Sequence, residues 1–182
     1  MKWRDEGSIL RLTPLGEHGL IITWSTAQHG IVRTAARNAR KPGSDLTGRI
    51  DLFHHCELVA TDAKQGDLGT LHAAELLDAR LPLRSHLLKL RLASYCARLV
   101  MATVEVGDTT QAWHQLMSGA LDYIAESSPR ANILYHFEKR LAQLHGLYSE
   151  VRPAHHALAQ HFQHMPAGRQ ELLEKLQASS QQ

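Results

Sequence analysis

The stretch HGLIITWSTAQHGIVRTAARNARKPGS, residues 18–44, alternates apolar and polar residues with a period of two, interrupted by glycine-bearing turns. In its first half Leu20, Ile22 and Trp24 fall on one face, which is the pattern of a half-buried strand. Gln28-His29-Gly30 then predicts a turn into a further strand, and Lys41-Pro42-Gly43-Ser44 predicts the loop that ends it. We therefore predict two consecutive strands, at about residues 18–26 and 31–37.

The same period continues on both sides of this stretch. Leu10 and Leu12 alternate with Ile9, Arg11 and Thr13 before a predicted turn at 14–17. DLFHHCELVAT (51–61) and DLGTLHAAEL (67–76) predict two more strands. Five short strands fit a closed barrel better than an open sheet, because closure leaves no strand edge exposed. We predict an OB-fold-like, five-stranded barrel over residues 1–80.

From about residue 83 the apolar residues recur with the period of a helix. Asp108 predicts a box-like cap for the second helix together with Gln111, and Ser128-Pro129 predicts the start of the third. Two weaker helical segments follow at 154–163 and 168–178, and residues 179–182 are expected to fray. The predicted fold class is α+β, with the barrel followed by a helical bundle over residues 81–182.

Composition excludes several classes of protein. With 43% hydrophobic and 21% charged residues the 182-residue chain is expected to fold, and no apolar run approaches the roughly 18 residues of a membrane span. Charged residues stand where a signal peptide needs its apolar region, so we predict a cytoplasmic protein. Cys56 and Cys96 lie far apart without a CxxC pair, so each is expected to be a small buried hydrophobe. Without a recognisable catalytic motif, we predict neither an enzyme nor a cofactor.

Positive charge is concentrated near the start of the chain. Residues 1–50 contain eight Lys/Arg against four Asp/Glu, whereas residues 51–80 contain two against six. Arg33 and Arg37 are four residues apart in a strand and so share a face, with no acidic residue anywhere in 29–44. An ordinary solvent-exposed strand face usually carries charges of both signs, and such a face stays an alternative here. The absence of acidic residues favours a surface that binds a polyanion. The predicted nucleic-acid-binding residues are Arg11, Arg33, Arg37, Arg40, Lys41 and Arg49.

Aromatic residues and histidines offer weaker signals. Trp24 is expected in the core. Phe53 is a more plausible residue than Trp24 for stacking on bases, but core packing is favoured for it as well. The stretch HHALAQHFQH, residues 155–164, suggests a metal-dependent enzyme as a remote alternative, although no nearby carboxylate or cysteine completes a ligand set. We expect its four histidines, His155, His156, His161 and His164, to be ordinary surface or partly packed side chains.

Several stretches, in order, resemble the RecO family of bacterial recombinational repair proteins. They are Glu6-Gly7 with Ile9-Leu10, then Pro14 and Gly16-Glu17, then Thr26, His29-Gly30 and Ala36-Arg37. ASYCARL (93–99) is similar to the Tyr-centred signature of the family's first long helix. FEKRLAQLHG (137–146) is similar to its Phe-Glu-x-Arg-Leu-x-x-Leu-x-Gly signature. The likeness covers about residues 5–150.

This resemblance implies an N-terminal OB-fold on a helical domain and binding of single- and double-stranded DNA without cofactor chemistry. It also implies annealing of complementary strands and help in loading recombinase on DNA coated by single-strand-binding protein. The implied partners are a RecR-like protein and the acidic C-terminal tail of single-strand-binding protein. Many members carry a four-cysteine zinc module after the third helix; this sequence has no cysteine beyond Cys96, so we predict none. Members of the family usually run longer than the 182 residues of this sequence.

One function from another class stays open. The helical domain could dock a protein partner, with the barrel serving only as its support. A large exposed apolar patch between helices, together with arginines spread over several faces, would favour that function.

Overall fold

The computed structural model describes residues 1–179. Its strands are β1 (Lys2–Leu15), β2 (Gly19–Thr26), β3 (Gly30–Ala36), β4 (His55–Thr61) and β5 (Leu68–Asp78). They form a closed barrel in the order β1-β2-β3-β5-β4, with β4 pairing back onto β1. The β3–β5 pair is parallel and the other four pairs are antiparallel. The predicted barrel fold is thus confirmed.

The barrel core follows the period-two pattern. Ile22 and Trp24 are fully buried, and the indole N–H of Trp24 donates to Thr34 Oγ1 at 2.9 Å, so the prediction that Trp24 lies in the core is confirmed. Such a hydrogen bond lets an indole be buried without leaving its donor unsatisfied. Cys56 belongs to the same core, and Cys96 is likewise buried.

A buried carboxylate holds the turn between β2 and β3. Asp5 accepts hydrogen bonds from the backbone N–H groups of Gln28 (2.9 Å), His29 (3.1 Å) and Glu6 (2.8 Å), and its Oδ2 lies 2.8 Å from His29 Nδ1. Burial raises the pKa of Asp5, but these hydrogen bonds outweigh burial, and the pKa lies below its ordinary value. The ionised carboxylate therefore stabilises the turn.

Asp5→Asn should lower the free energy of unfolding by about 1–3 kcal/mol at neutral pH, because the amide cannot replace a carboxylate that accepts from several N–H groups. The pKa of Asp5 is lowered by folding, so its contribution is complete above the unfolded pKa of about 3.9 and disappears as pH falls through the folded pKa. Urea unfolding at neutral and acidic pH measures this. The difference between wild type and variant should shrink in acid.

Asp62→Asn is the matched control, since the exposed Asp62 carboxylate accepts hydrogen bonds from the Trp3 indole and the N-terminus. We expect a smaller loss of stability from that change. A destabilisation by Asp5→Asn that is independent of pH would contradict the assigned role of the carboxylate.

The helices are α1 (Leu87–Thr103), α2 (Gln111–Glu126), α3 (Ala131–Leu144), α4 (Ala154–His161) and α5 (Arg169–Ser179), with a 3-10 turn at Leu81–Ser85. None of the helices described within residues 1–179 is long and apolar enough to cross a membrane. Residues 180–182, which belong to the segment expected to fray, lie outside the described residues.

Asp108 lies shortly before α2. Its Oδ1 accepts from the N–H of Thr110 and its Oδ2 from the indole of Trp113, so Asp108 fixes the approach to this helix. The start predicted for the third helix needs correction. The third helix begins at Ala131 and not at Pro129, because Arg130 is extended (φ −136°, ψ 154°) and serves as its N-cap.

The chain forms two compact units. The first contains Met1–Arg80 and Val104–Gln115; the second contains Leu81–Thr103 and the residues from Leu116 onwards. Within the first unit, the segment 104–115 lies along the outside of β2 and β3. Gly107 N–H donates to Ile31 O at 2.9 Å, and His114 Nδ1 lies 2.9 Å from Ser25 O. This segment therefore occupies one part of the outer surface of the barrel.

Candidate nucleic-acid interface

Strand register places two of the predicted cations in one row on the outside of the barrel. Arg11 is opposite Thr23, and Thr23 is opposite Arg33. Because Ile22 and Trp24 point into the core, their neighbour Thr23 points outward, and cross-strand partners share a face. Two interstrand spacings separate Arg11 from Arg33, about 10 Å between their backbones.

The charge of Arg33 is matched by a carboxylate. Its Nη1 donates to Asp67 Oδ2 at 2.8 Å, and both side chains are partly exposed. The hydrogen bond from Arg33 lowers the pKa of Asp67. Asp67 lies in the turn before β5, next to Leu68, which pairs with Arg33 across the parallel β3–β5 contact. The sequence run around Arg33 contains no acid, but the fold supplies one.

The Arg40 side chain donates hydrogen bonds to the backbone of the β1–β2 turn. Its Nη2 donates to the carbonyl oxygens of Gly16 (3.1 Å) and Glu17 (2.9 Å), and its own N–H donates to His18 O. These contacts tie the start of the β3–β4 loop to the β1–β2 turn. Arg40 is still exposed and charged, but some of its N–H groups already donate to the β1–β2 turn.

The β3–β4 loop, residues 37–54, is a succession of hydrogen-bonded turns. Ser44 N–H donates to Lys41 O and Thr47 N–H donates to Ser44 O, both at 3.0 Å. Leu46 and Ile50 pack against the barrel core. The cations of this loop thus stand on an anchored backbone.

A cleft of about 660 Å³ separates this loop from β5, and both Arg37 and Arg49 line it. Arg49 Nη1 donates to Ala74 O at 3.2 Å, while Arg49 O receives hydrogen bonds involving His54 Nδ1 (2.9 Å) and Cys56 Sγ (3.5 Å). The carbonyl oxygen of Arg37 lies 3.2 Å from where a Cβ of Gly19 would stand, so Arg37 adjoins the beginning of β2. The fold thus brings two cations, twelve residues apart in sequence, to one cleft.

The six predicted residues form what we call the basic surface: Arg11, Arg33, Arg37, Arg40, Lys41 and Arg49. All belong to the barrel unit. Within residues 1–179, Arg11, Arg37 and Lys41 are exposed and make no side-chain hydrogen bond or ion pair, whereas Arg33 pairs with Asp67. The six residues of the basic surface therefore differ in how much of their positive charge is available to a ligand.

Phe53, the aromatic residue considered for stacking on bases, lies in the core. Phe53 has no exposed surface and a positive φ of 67°, and its N–H donates to Ile9 O at 2.9 Å. A side chain without exposed surface cannot stack on a base.

Among the described residues no group of three or more His, Cys, Asp or Glu could hold a metal ion, and the ring of His161 contacts the ring of Phe162.

Two groups at the cleft were missed as candidates. Asp45 and His72 both line it, and neither is among the predicted binding residues. His72 lies where the register between β4 and β5 shifts, since Val59 pairs with Ala73 but Ala60 pairs with Leu71. Such a bulge turns two consecutive side chains outward and is common at barrel rims. A period-two pattern cannot reveal it.

Comparison with known proteins gives the family. The model for "Recombination protein O N terminal" matches residues 1–80, and the model for "Recombination protein O C terminal" matches residues 84–153. The chain is similar to DNA repair protein RecO of Bacillus subtilis (strain 168), with 27% identity over 160 residues, or 88% of this chain and 62% of that relative. It is 31% identical over 152 residues to DNA repair protein RecO of Gloeobacter violaceus, covering 82% of this chain and 57% of the relative.

The chain thus spans about three-fifths of the length of these two relatives. The two family models match the barrel strands β1–β5 and the helices α1–α3 in the order that the sequence resemblance implied. On these matches, the chain belongs to the RecO family.

Proposed function

We propose that this chain acts in DNA repair and recombination by binding single- and double-stranded DNA through the basic surface. The observation that carries the proposal concerns three residues of the basic surface. Arg11, Arg37 and Lys41 are exposed, and their side chains make neither a hydrogen bond nor an ion pair among residues 1–179. Cations of this kind release counterions from the phosphate backbone, which drives binding with little regard to sequence.

The activity proposed for these contacts is annealing of complementary strands and assistance to recombinase loading on DNA coated by single-strand-binding protein. Cations that contact the phosphates of two strands lower the repulsion between them, so that bases can pair. This needs binding energy and no covalent step, which is why we propose a mediator without enzymatic turnover.

The six cations are not expected to contribute equally. Arg11, Arg37, Lys41 and Arg49 have no carboxylate within ion-pairing distance among the described residues, so no direct ion pair neutralises their charge. The guanidinium of Arg33 is already paired with the Asp67 carboxylate, which competes with a phosphate for it. The guanidinium of Arg40 already donates to two carbonyl oxygens. We therefore assign the larger share of binding to the first four.

Replacing Arg11, Arg37, Lys41 and Arg49 together with alanine should weaken oligonucleotide binding at least about tenfold at low salt. The slope of log K against log salt should fall by roughly 0.7–0.9 for each lost contact, since each contact releases its own counterions. Fluorescence anisotropy with single-stranded and duplex oligonucleotides at several salt concentrations measures both quantities. A thermal melt checks that the variant is folded.

The matched control removes the same number of charges from the helical unit, as Arg130, Lys139, Arg140 and Arg152 to alanine, all of them exposed. We expect a smaller loss of affinity and a nearly unchanged salt slope. Equal losses in the two quadruple variants would mean that overall charge, and not the basic surface, governs binding.

The partners proposed from the family likeness are a RecR-like protein and the acidic tail of single-strand-binding protein. A pull-down of the 182-residue chain with each partner, with and without DNA, tests these interactions separately from DNA binding. If the wild-type chain captures a protein partner but shows no salt-dependent affinity for DNA, the protein-interaction function replaces our proposal.

A further inference from the structure

The cleft between the β3–β4 loop and β5 contains charges of both signs that do not pair with each other. Arg37, Asp45 and Arg49 all line it and all are exposed. Among residues 1–179, neither Arg37 nor Asp45 has an ion-pair partner within 4 Å, although oppositely charged groups in one cleft would be expected to attract each other. A carboxylate in this place weakens the attraction of the cleft for a bare phosphate. The arrangement instead suits a ligand that carries both an anion and hydrogen-bond donors.

The cleft is built on fixed groups. Ala74 O holds the guanidinium of Arg49, and a hydrogen bond of 3.1 Å joins His72 Nε2 to Thr61 Oγ1. Ser44 Oγ accepts from Leu46 N–H at 3.3 Å, which orders the backbone on both sides of Asp45. A preformed site loses less conformational entropy when a ligand binds.

Size and chemistry together indicate a single nucleotide. A volume of about 660 Å³ falls within the range of about 300–1,000 Å³ that is usual for small-molecule sites. A nucleotide supplies a phosphate for arginine and a base edge for a polar side chain. A carboxylate accepts from the N4 amino group of cytosine, whereas uracil and thymine present a carbonyl oxygen at that position.

Building on the proposed function, we propose that this cleft receives one unpaired nucleotide of the bound strand and favours a base with an amino donor. Arg37 and Arg49 contact its phosphate, and Asp45 accepts a hydrogen bond from the exocyclic amino group. Uracil or thymine would place a carbonyl oxygen next to the Asp45 carboxylate. The two groups repel each other because both are hydrogen-bond acceptors. The barrel thus adds base preference to otherwise sequence-tolerant binding.

The test compares oligodeoxycytidine with oligodeoxyuridine of equal length, which carry the same backbone and differ at the Watson–Crick edge of the base. We expect the wild-type chain to bind oligodeoxycytidine at least about fivefold more tightly in anisotropy titrations. Asp45→Ala should abolish this difference by weakening binding of oligodeoxycytidine. It should strengthen binding of oligodeoxyuridine slightly, since a negative charge is lost.

Glu17→Ala provides the matched control. It removes an acid whose side chain is 88% exposed and which does not line the cleft, so it should raise both affinities alike and keep their ratio. Equal wild-type affinity for the two oligonucleotides, or a preference that persists in Asp45→Ala, overturns the nucleotide site while leaving the basic surface intact. Absence of salt-dependent binding to either oligonucleotide overturns the proposed function itself.

Discussion

Arg169→Ala is expected to lower the free energy of unfolding by about 3–5 kcal/mol, because it leaves a buried carboxylate without its partner. Glu138 on α3 is only 2% exposed, and it accepts two hydrogen bonds from Arg169 at the start of α5, Nε to Oε1 at 2.6 Å and Nη2 to Oε2 at 2.8 Å. This bidentate pair joins the two helices within the second unit.

Chemical denaturation of wild type and variant measures the effect. Arg91→Ala is the control: its ion pair with Glu171, 3.4 Å long, is exposed, and pairs of that kind contribute about 0–1 kcal/mol. Replacing Glu138 and Arg169 together with methionine should recover much of the loss, since no buried charge then remains. A similar loss from Arg169→Ala and Arg91→Ala would contradict the role of the buried pair.

A spectroscopic signal accompanies this change. Burial lowers the pKa of His155 to about 4, with Arg169 and then His156 adding to the effect. Without Arg169, the pKa of His155 should rise toward its ordinary value, which an NMR titration of the histidine resonances would detect.

Gly30→Ala is expected to destabilise the chain by about 3 kcal/mol or more, because two penalties act at one position. Gly30 has a φ of +69°, which side chains of L-residues rarely adopt, and an added Cβ would lie 1.7 Å from the backbone oxygen of Asp108. That oxygen cannot rotate away. The segment 104–115 must move, or the turn between β2 and β3 must open.

Gly43→Ala separates the two penalties. Gly43 has a similar φ of +77° but no atom within 4 Å of an added Cβ, so it should lose only about 1–2 kcal/mol, the penalty of the left-handed conformation. Trp113 fluorescence would report displacement of the segment in Gly30→Ala. Equal destabilisation by the two substitutions would show that the close approach of Asp108 carries no energetic weight.

The barrel could be predicted from the sequence because the alternation that indicates a strand involves only residues close together in the chain. The alternation of Leu20, Ile22 and Trp24 predicted which face is buried, and the glycine-bearing turns predicted where β2 and β3 end. The helices α4 and α5 were likewise predicted to within about two residues at their ends. Errors arose where one residue departed from the pattern, as with the extended Arg130 before α3 and the left-handed Phe53 before β4.

The candidate site was only partly predictable. The sequence identified cations, but the charge that each retains depends on neighbours from other strands. Arg33 meets Asp67 across the β3–β5 pair, 34 residues away, and Arg37 meets Arg49 and Asp45 at a cleft bounded by β5. His72 joined that cleft through a bulge that no alternation of residue types encodes.

The sequence by itself determined the succession of strands and helices along the chain, the buried face of β2 and the position of the basic segment, because backbone geometry fixes side-chain direction from one residue to the next. Only the tertiary structure decided which cations keep their charge available and which share a cleft. Ion pairs and clefts depend on distances between residues remote in the chain, and those distances exist only once β3 pairs with β5 and closes the barrel.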